Sequence, residues 1–155
     1  LEGDNAELDF SGVYAVMPGQ PARLLAKDFD RPNGIALSPD EKILYVADTA
    51  ARLIRAFDIA EDGTVSNDRH FCDVPGPDGI KVDKAGNVWS TCGDGVRIFS
   101  PEGDVLETIE FPAKPANCAF GGPDGKTLYV TARMGVYKVA LTEPGITPAS
   151  QVLSE

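Results

Sequence analysis

The chain has 155 residues, 43% of them hydrophobic and 25% charged, which suits one domain with a real core and excludes a disordered tail. No apolar run approaches the ~20 residues that a membrane-crossing helix needs. Lys and Arg number 14 against 24 Asp and Glu, a net charge of −10 that repels phosphate backbones, so no nucleic-acid partner is expected.

The predicted elements are all strands. Residues 12–16 and 22–27, on either side of the Met17-Pro18-Gly19-Gln20 turn, read as the outer two strands of a sheet. A repeat then begins. Asn33-Gly34-Ile35-Ala36-Leu37 leads through Ser38-Pro39-Asp40-Glu41-Lys42 to Leu44-Tyr45-Val46. Asp78-Gly79-Ile80-Lys81-Val82 leads through Asp83-Lys84-Ala85-Gly86-Asn87 to Val88-Trp89-Ser90. Asn117-Cys118-Ala119-Phe120 leads through Gly121-Gly122-Pro123-Asp124-Gly125-Lys126 to Leu128-Tyr129-Val130. Each unit is strand, polar turn, strand, with an aromatic at the matching place: Tyr45, Trp89, Tyr129. Third strands are predicted over 53–59, 96–99 and 135–140, and fourth strands over 65–71, 105–111 and 151–153. No segment keeps a 3.6-residue apolar period, so helix content should be near zero.

The repeats start 45 and 39 residues apart, the spacing of propeller blades built from short strands. The expected fold is all-β, about three blades of a β-propeller in a single partial domain over 1–155. Its parts are 8–30 (outer strands of a blade), then the blades 31–75, 76–114 and 115–155. Three or so blades do not close a ring, and an open arc exposes strand edges and apolar faces. The chain is therefore expected to need the missing propeller half or a second copy.

Cys72, Cys92 and Cys118 form no close pair and no CxxC motif, so they read as small buried hydrophobes of a reducing, cytoplasmic compartment. His70 is the sole histidine and sits in the polar stretch Asn67-Asp68-Arg69-His70, which reads as a surface turn and not as part of a triad. No basic segment followed by an apolar one is visible near Leu1, so no signal peptide is expected within the chain.

Asn33, Asp78 and Asn117 occupy the same point of successive repeats, expected just before the innermost strand of each blade, with Pro32, Pro77 and Pro115 close upstream. Innermost strands line the channel of a propeller, so these positions converge at one end of it. Two readings stay open from spacing alone. Their oxygens could hold a hard divalent cation. Equally, Asn-Gly and Asp-Gly are ordinary turn dipeptides whose side chains bond their own backbone.

Arg31-Pro32-Asn33-Gly34-Ile35-Ala36-Leu37-Ser38-Pro39-Asp40-Glu41, with Leu44-Tyr45-Val46-Ala47-Asp48-Thr49, resembles the signature of the SMP-30/gluconolactonase/luciferin-regenerating-enzyme family. Gly76-Pro77-Asp78-Gly79-Ile80 with Gly86-Asn87-Val88-Trp89, and Asn117-Cys118-Ala119-Phe120-Gly121-Gly122 with Thr127-Leu128-Tyr129-Val130-Thr131, resemble its following blades. Leu8-Asp9-Phe10-Ser11-Gly12-Val13-Tyr14 suits its bacterial gluconolactonases. The resemblance implies a six-bladed propeller that binds one divalent cation in its channel and hydrolyses lactones. It implies Ca²⁺ first, with Zn²⁺, Mg²⁺ or Mn²⁺ as the other candidates. Family ligands are a Glu, two Asn and an Asp. Asn33 matches the second Asn, and Asp78 matches the Asp, which is also the implied general base. Asn117 matches no family ligand. The Glu and the other Asn are expected in sequence preceding Leu1, because Glu2 and Glu7 stand at the wrong spacing and family members are about twice as long.

The implied activity is ring opening of a small-molecule aldonolactone by a half-chain or fragment. A non-catalytic propeller module for binding or assembly is the alternative of another class. A homodimer of half-propellers, bringing two Asn33 and two Asp78 to one rim, is the other.

Overall fold

Short apolar runs, some alternating and some continuous, broken by glycine-rich turns, fold as strands. The computed structural model describes residues 8–146, and among them are thirteen strands and no helix. They form four antiparallel sheets in chain order. The first pairs β1 (Ser11–Ala15) with β2 (Arg23–Phe29). The second runs β3 (Pro32–Leu37), β4 (Ile43–Asp48), β5 (Leu53–Ile59), β6 (Val65–Asp73). The third runs β7 (Ile80–Val82), β8 (Val88–Cys92), β9 (Gly95–Phe99), β10 (Val105–Ile109). The fourth runs β11 (Pro115–Gly121), β12 (Thr127–Ala132), β13 (Gly135–Ala140). Each sheet is a meander, the pattern of a propeller blade. The fourth strand expected at 151–153 lies outside the described residues, as do Glu2 and Glu7.

The core lies between sheets, in three layers. Val13 and Phe29 pack on Leu44, Val46 and Phe57. Tyr45, Ala47, Ile54 and Ala56 pack on Ile80, Val82 and Val88. Trp89, Val96 and Ile98 pack on Cys118, Phe120, Leu128 and Val130. The repeated aromatic of each β-meander faces the following sheet. Tyr45 is 2% exposed and Trp89 8%, with the Trp89 ring edge-on to Phe120 at 5.3 Å, whereas Tyr129 is 43% exposed because no following sheet covers it among the described residues. The same exposed side of the last sheet carries Val136 and Thr131.

The two-stranded sheet is fastened by Arg55. Its guanidinium lies 4.3 Å over the Phe29 ring, bonds the Asp28 carbonyl at 3.0 Å and pairs with Asp68. All three cysteines are buried and free, and burial pushes the Cys72 thiol up to about 12 and those of Cys92 and Cys118 to about 11, which keeps them unreactive.

Two expectations need correction. The strand expected over 65–71 forms as β6, the outer edge strand, so His70, which its polar neighbours read as a turn, lies within it and its Nε2 meets Asp73 Oδ1 at 2.9 Å. A polar edge strand resembles a turn in composition because its solvent side and its edge are both wet. Asn33 and Asn117 do not precede their strands; they lie inside β3 and β11. Both strands start at a proline, whose missing N–H costs nothing at a strand's first position. Both then pass through a ladder irregularity, between Pro32 and Ile35 and between Pro115 and Asn117. Such irregularities re-aim side chains at strand ends. Asp78 alone stands before its strand.

Candidate active site

The inner strands are stitched by backbone bonds at the repeated dipeptides. Gly34 N–H donates to the Asp78 carbonyl at 2.8 Å, and Gly79 N–H donates to the Ala116 carbonyl at 3.0 Å. Such approaches require glycine: a Cβ on Gly34 would stand 2.2 Å from Asp78 O, and one on Gly79 would stand 2.3 Å from Asn117 Oδ1. The equivalent positions of three sheets thus stand side by side at one end of the inner strands.

Thr49 fixes the polarity of this rim. Its Oγ1 donates to the Pro77 carbonyl at 2.6 Å, which uses its single proton. The hydroxyl can then only accept from Asn33, at 3.2 Å, so the amide nitrogen of Asn33 points at Thr49 and Oδ1 is the atom left for a ligand. Asp78 is held by its backbone, its N–H donating to the Thr91 carbonyl at 2.9 Å while its own carbonyl accepts from Gly34. The carboxylate, half-buried, is left out of this scaffold. Asn117 is exposed, and its Oδ1 accepts from the Cys118 N–H at 2.9 Å, which leaves its amide nitrogen as a donor.

Thr91 and Asp48 support the rim and were not singled out by sequence reading. Thr91 Oγ1 takes the Gly79 N–H at 2.9 Å and lies 3.0 Å from the Ala116 carbonyl, so it joins the third sheet to the fourth. Asp48 is 2% exposed and accepts four backbone N–H groups, from Asp30, Arg31, Ala50 and Ala51, at 2.8–3.2 Å. Burial raises its pKa, but the four donors outweigh this and hold it below the ordinary carboxylate value of 3.8. The only sequence signal was the Ala47-Asp48-Thr49 tail of the first repeat.

A carboxylate with a lowered folded-state pKa contributes stability that is complete above its unfolded value and lost as pH falls through the folded one. Asp48→Ala is therefore expected to destabilise the chain by about 2–4 kcal/mol at pH 7. The difference from wild type should shrink progressively below pH ~4, as read by urea unfolding at several pH values. A pH-independent difference would exclude the ionised carboxylate as its source.

The rim offers two side chains of the donor type that a hard divalent cation takes. Asn33 Oδ1 and the Asp78 carboxylate are oxygen donors, the type that Ca²⁺ and Mg²⁺ prefer. Two residues leave most of a six- to eight-fold shell to other groups. Among the described residues no group of three or more His, Cys, Asp or Glu could hold an ion by itself. The residues fit as part of a cation site.

The sequence model of the SMP-30/Gluconolactonase/LRE-like region matches residues 2–134. The chain is 34% identical over 154 residues to a gluconolactonase of Zymomonas mobilis, covering 89% of this chain and 42% of that protein. It is 39% identical over 119 residues to a 6-deoxy-6-sulfogluconolactonase of Pseudomonas putida, covering 72% and 41%. The solved gluconolactonase of Xanthomonas campestris superposes with a TM-score of 0.81 at 37% identity, covering 87% of this chain and 46% of that one. The chain thus spans less than half the length of these relatives. The match extends over the three repeats and the rim they build, and the chain belongs to the SMP-30/gluconolactonase/LRE-like family.

Proposed function

We propose that the chain carries part of the active site of a lactone hydrolase that opens an aldonolactone with one divalent cation, Ca²⁺ ahead of Zn²⁺, Mg²⁺ or Mn²⁺. One observation carries the reading: Asn33 in β3 and Asp78 just before β7, 45 residues apart, are brought to neighbouring inner-strand ends by the Gly34–Asp78 bond of 2.8 Å and the Thr49 bridge. The lactonase names of the two relatives support the class of reaction, hydrolysis of a cyclic ester.

A bound cation would polarise the lactone carbonyl and offset the negative charge that develops on its oxygen. Asp78 would accept the proton of the attacking water. Asn33, through Oδ1, would hold the cation without adding negative charge. Its orientation is preset by Thr49, so little ordering is required on binding. Ring completion belongs to the proposal, either by the missing propeller half or by a second copy, because Tyr129 and Val136 leave an apolar face open. A solution mass of twice the chain's 16.4 kDa would favour the second copy.

Asn33→Asp tests the ligand assignment. A second carboxylate should tighten Ca²⁺ binding by about tenfold, since ligand charge tunes such sites, and change the order of preference between Ca²⁺ and Zn²⁺. Calorimetric titration with each cation reads both effects. Unchanged binding of the two would remove Asn33 from the site.

A further inference from the structure

Asn33-Gly34 is the sole Asn-Gly dipeptide of the chain. The contact between the second and third sheets forces the glycine, since a Cβ there would stand 2.2 Å from the Asp78 carbonyl oxygen. The same pairing is chemically unstable. Glycine has no Cβ to shield its backbone nitrogen, so Gly34 N can close onto the side-chain carbonyl carbon of Asn33. The nitrogen, its proton taken by solvent base, bonds to Cγ; the bond from Cγ to Nδ2 breaks, and ammonia leaves. Water then opens the cyclic imide at either carbonyl and yields aspartate or isoaspartate. No oxidant or reductant enters: an amide and a water become an acid and an ammonia.

Solvent reaches this dipeptide, because Asn33 is exposed. Two contacts oppose the reaction. Gly34 N–H donates to the Asp78 carbonyl at 2.8 Å, so the nucleophile is tied to the next sheet. The Asn33 amide is held by Thr49 Oγ1 at 3.2 Å, and Thr49 is anchored to the Pro77 carbonyl at 2.6 Å. Ring closure requires the amide carbon to turn onto Gly34 N, against that hold. Both guards reach across the same two sheets, so both are lost when the sheets part. Asp78-Gly79, one repeat later, is guarded more heavily. Gly79 N–H is shared between the Ala116 carbonyl at 3.0 Å and Thr91 Oγ1 at 2.9 Å. A carboxylate is moreover a poorer electrophile than an amide.

We propose that Asn33 is a site of spontaneous deamidation, held off by the Gly34–Asp78 bond and by Thr49, so that its amide lasts only while the second and third sheets stay in contact. The rim thereby keeps a covalent record of its own opening. Aspartate at this position adds a carboxylate to the rim, and isoaspartate adds a methylene to the β3 backbone. What either does to a bound cation rests on the lactone-hydrolase reading; the modification itself does not.

The test incubates the full chain in mildly alkaline buffer, with and without denaturing urea. Conversion of Asn33 is followed by peptide mass mapping, isoaspartate labelling and ammonia release. Two hydrogen bonds of ordinary strength predict that the folded chain converts about thirtyfold more slowly than the unfolded one. Thr49→Val, which loses the hydroxyl and keeps the shape, should speed conversion in the folded chain about fivefold, the factor of one such bond. Thr49→Ser should stay near the wild-type rate. Should the valine variant fail to fold, wild type in urea below its unfolding transition supplies the test, where Asn33 conversion should rise in step with hydrogen exchange of the Gly34 amide. Equal rates in folded and unfolded wild type, a folded Thr49→Val chain no faster than wild type, or conversion that does not follow Gly34 exchange would overturn the proposal. Calorimetry of the deamidated chain with Ca²⁺ keeps the two ideas apart: guarded deamidation with unchanged cation binding would sink the ligand role of Asn33 and leave the modification site standing.

Discussion

Replacing Asp78 by Ala is expected to lower the rate of aldonolactone opening by about 10³-fold, the scale of a lost general base. The same change removes one oxygen ligand of the proposed cation. Fold effects should be small, because Asp78 is fastened through its backbone N–H and carbonyl, not through its carboxylate. The melting temperature is therefore expected to stay within a few degrees of wild type. Asp78→Asn separates the two roles. The amide oxygen can still coordinate, whereas the amide cannot take a proton from water. Cation binding that survives in Asp78→Asn, with activity lost, would assign Asp78 as the base. The measurement is a pH-stat assay corrected for spontaneous opening, in whichever assembly is active. Retention of most of the wild-type rate by Asp78→Ala would remove the mechanism.

The strands were legible because each sheet repeats the same short grammar. Short apolar runs, continuous in β4 and alternating in β13, are broken by glycine, asparagine and aspartate where hairpins turn, so the predicted 53–59 and 135–140 coincide with β5 and β13. The juxtaposition of Asn33 and Asp78 was legible for a related reason. They recur at one phase of the repeat, and phase places them at the entry of adjacent inner strands, Asn33 inside β3 and Asp78 just before β7. Their side-chain surroundings were not legible. Thr49 and Thr91 act between sheets, on carbonyls 28 and 25 residues away, and a lone hydroxyl leaves no periodic mark. Asp48 was hidden for the opposite reason: it looks like the polar end of a strand, and only the fold gathers four N–H groups around it. The ladder irregularities that draw Asn33 and Asn117 into strands depend on partner register, which no single segment encodes.

The close approach of the inner strands makes the second large prediction. Gly34→Ala should lower stability by about 3 kcal/mol, or the melting temperature by about 10 °C. The reason is contact and not backbone conformation. A methyl at this position would stand 2.2 Å from Asp78 O, 2.7 Å from Ile80 N and 3.0 Å from Gly79 C, all backbone atoms that cannot rotate away. The strands must part, and the Gly34–Asp78 hydrogen bond stretches with them. Asn33 and Asp78 then separate, so activity should fall by about 10²-fold even at temperatures where the variant is folded, as a displacement near 1 Å does to a positioned site. Gly79→Ala supplies the comparison. Its nearest obstacles are Asn117 Oδ1 at 2.3 Å and Cγ at 2.8 Å, the movable end of a side chain, with backbone only at 3.0 Å. Its loss of stability should be the smaller of the two. Thermal unfolding of both variants beside wild type settles the order. A Gly34→Ala chain as stable as wild type would mean that the second and third sheets do not meet at this distance, and the rim built on their contact would go with it.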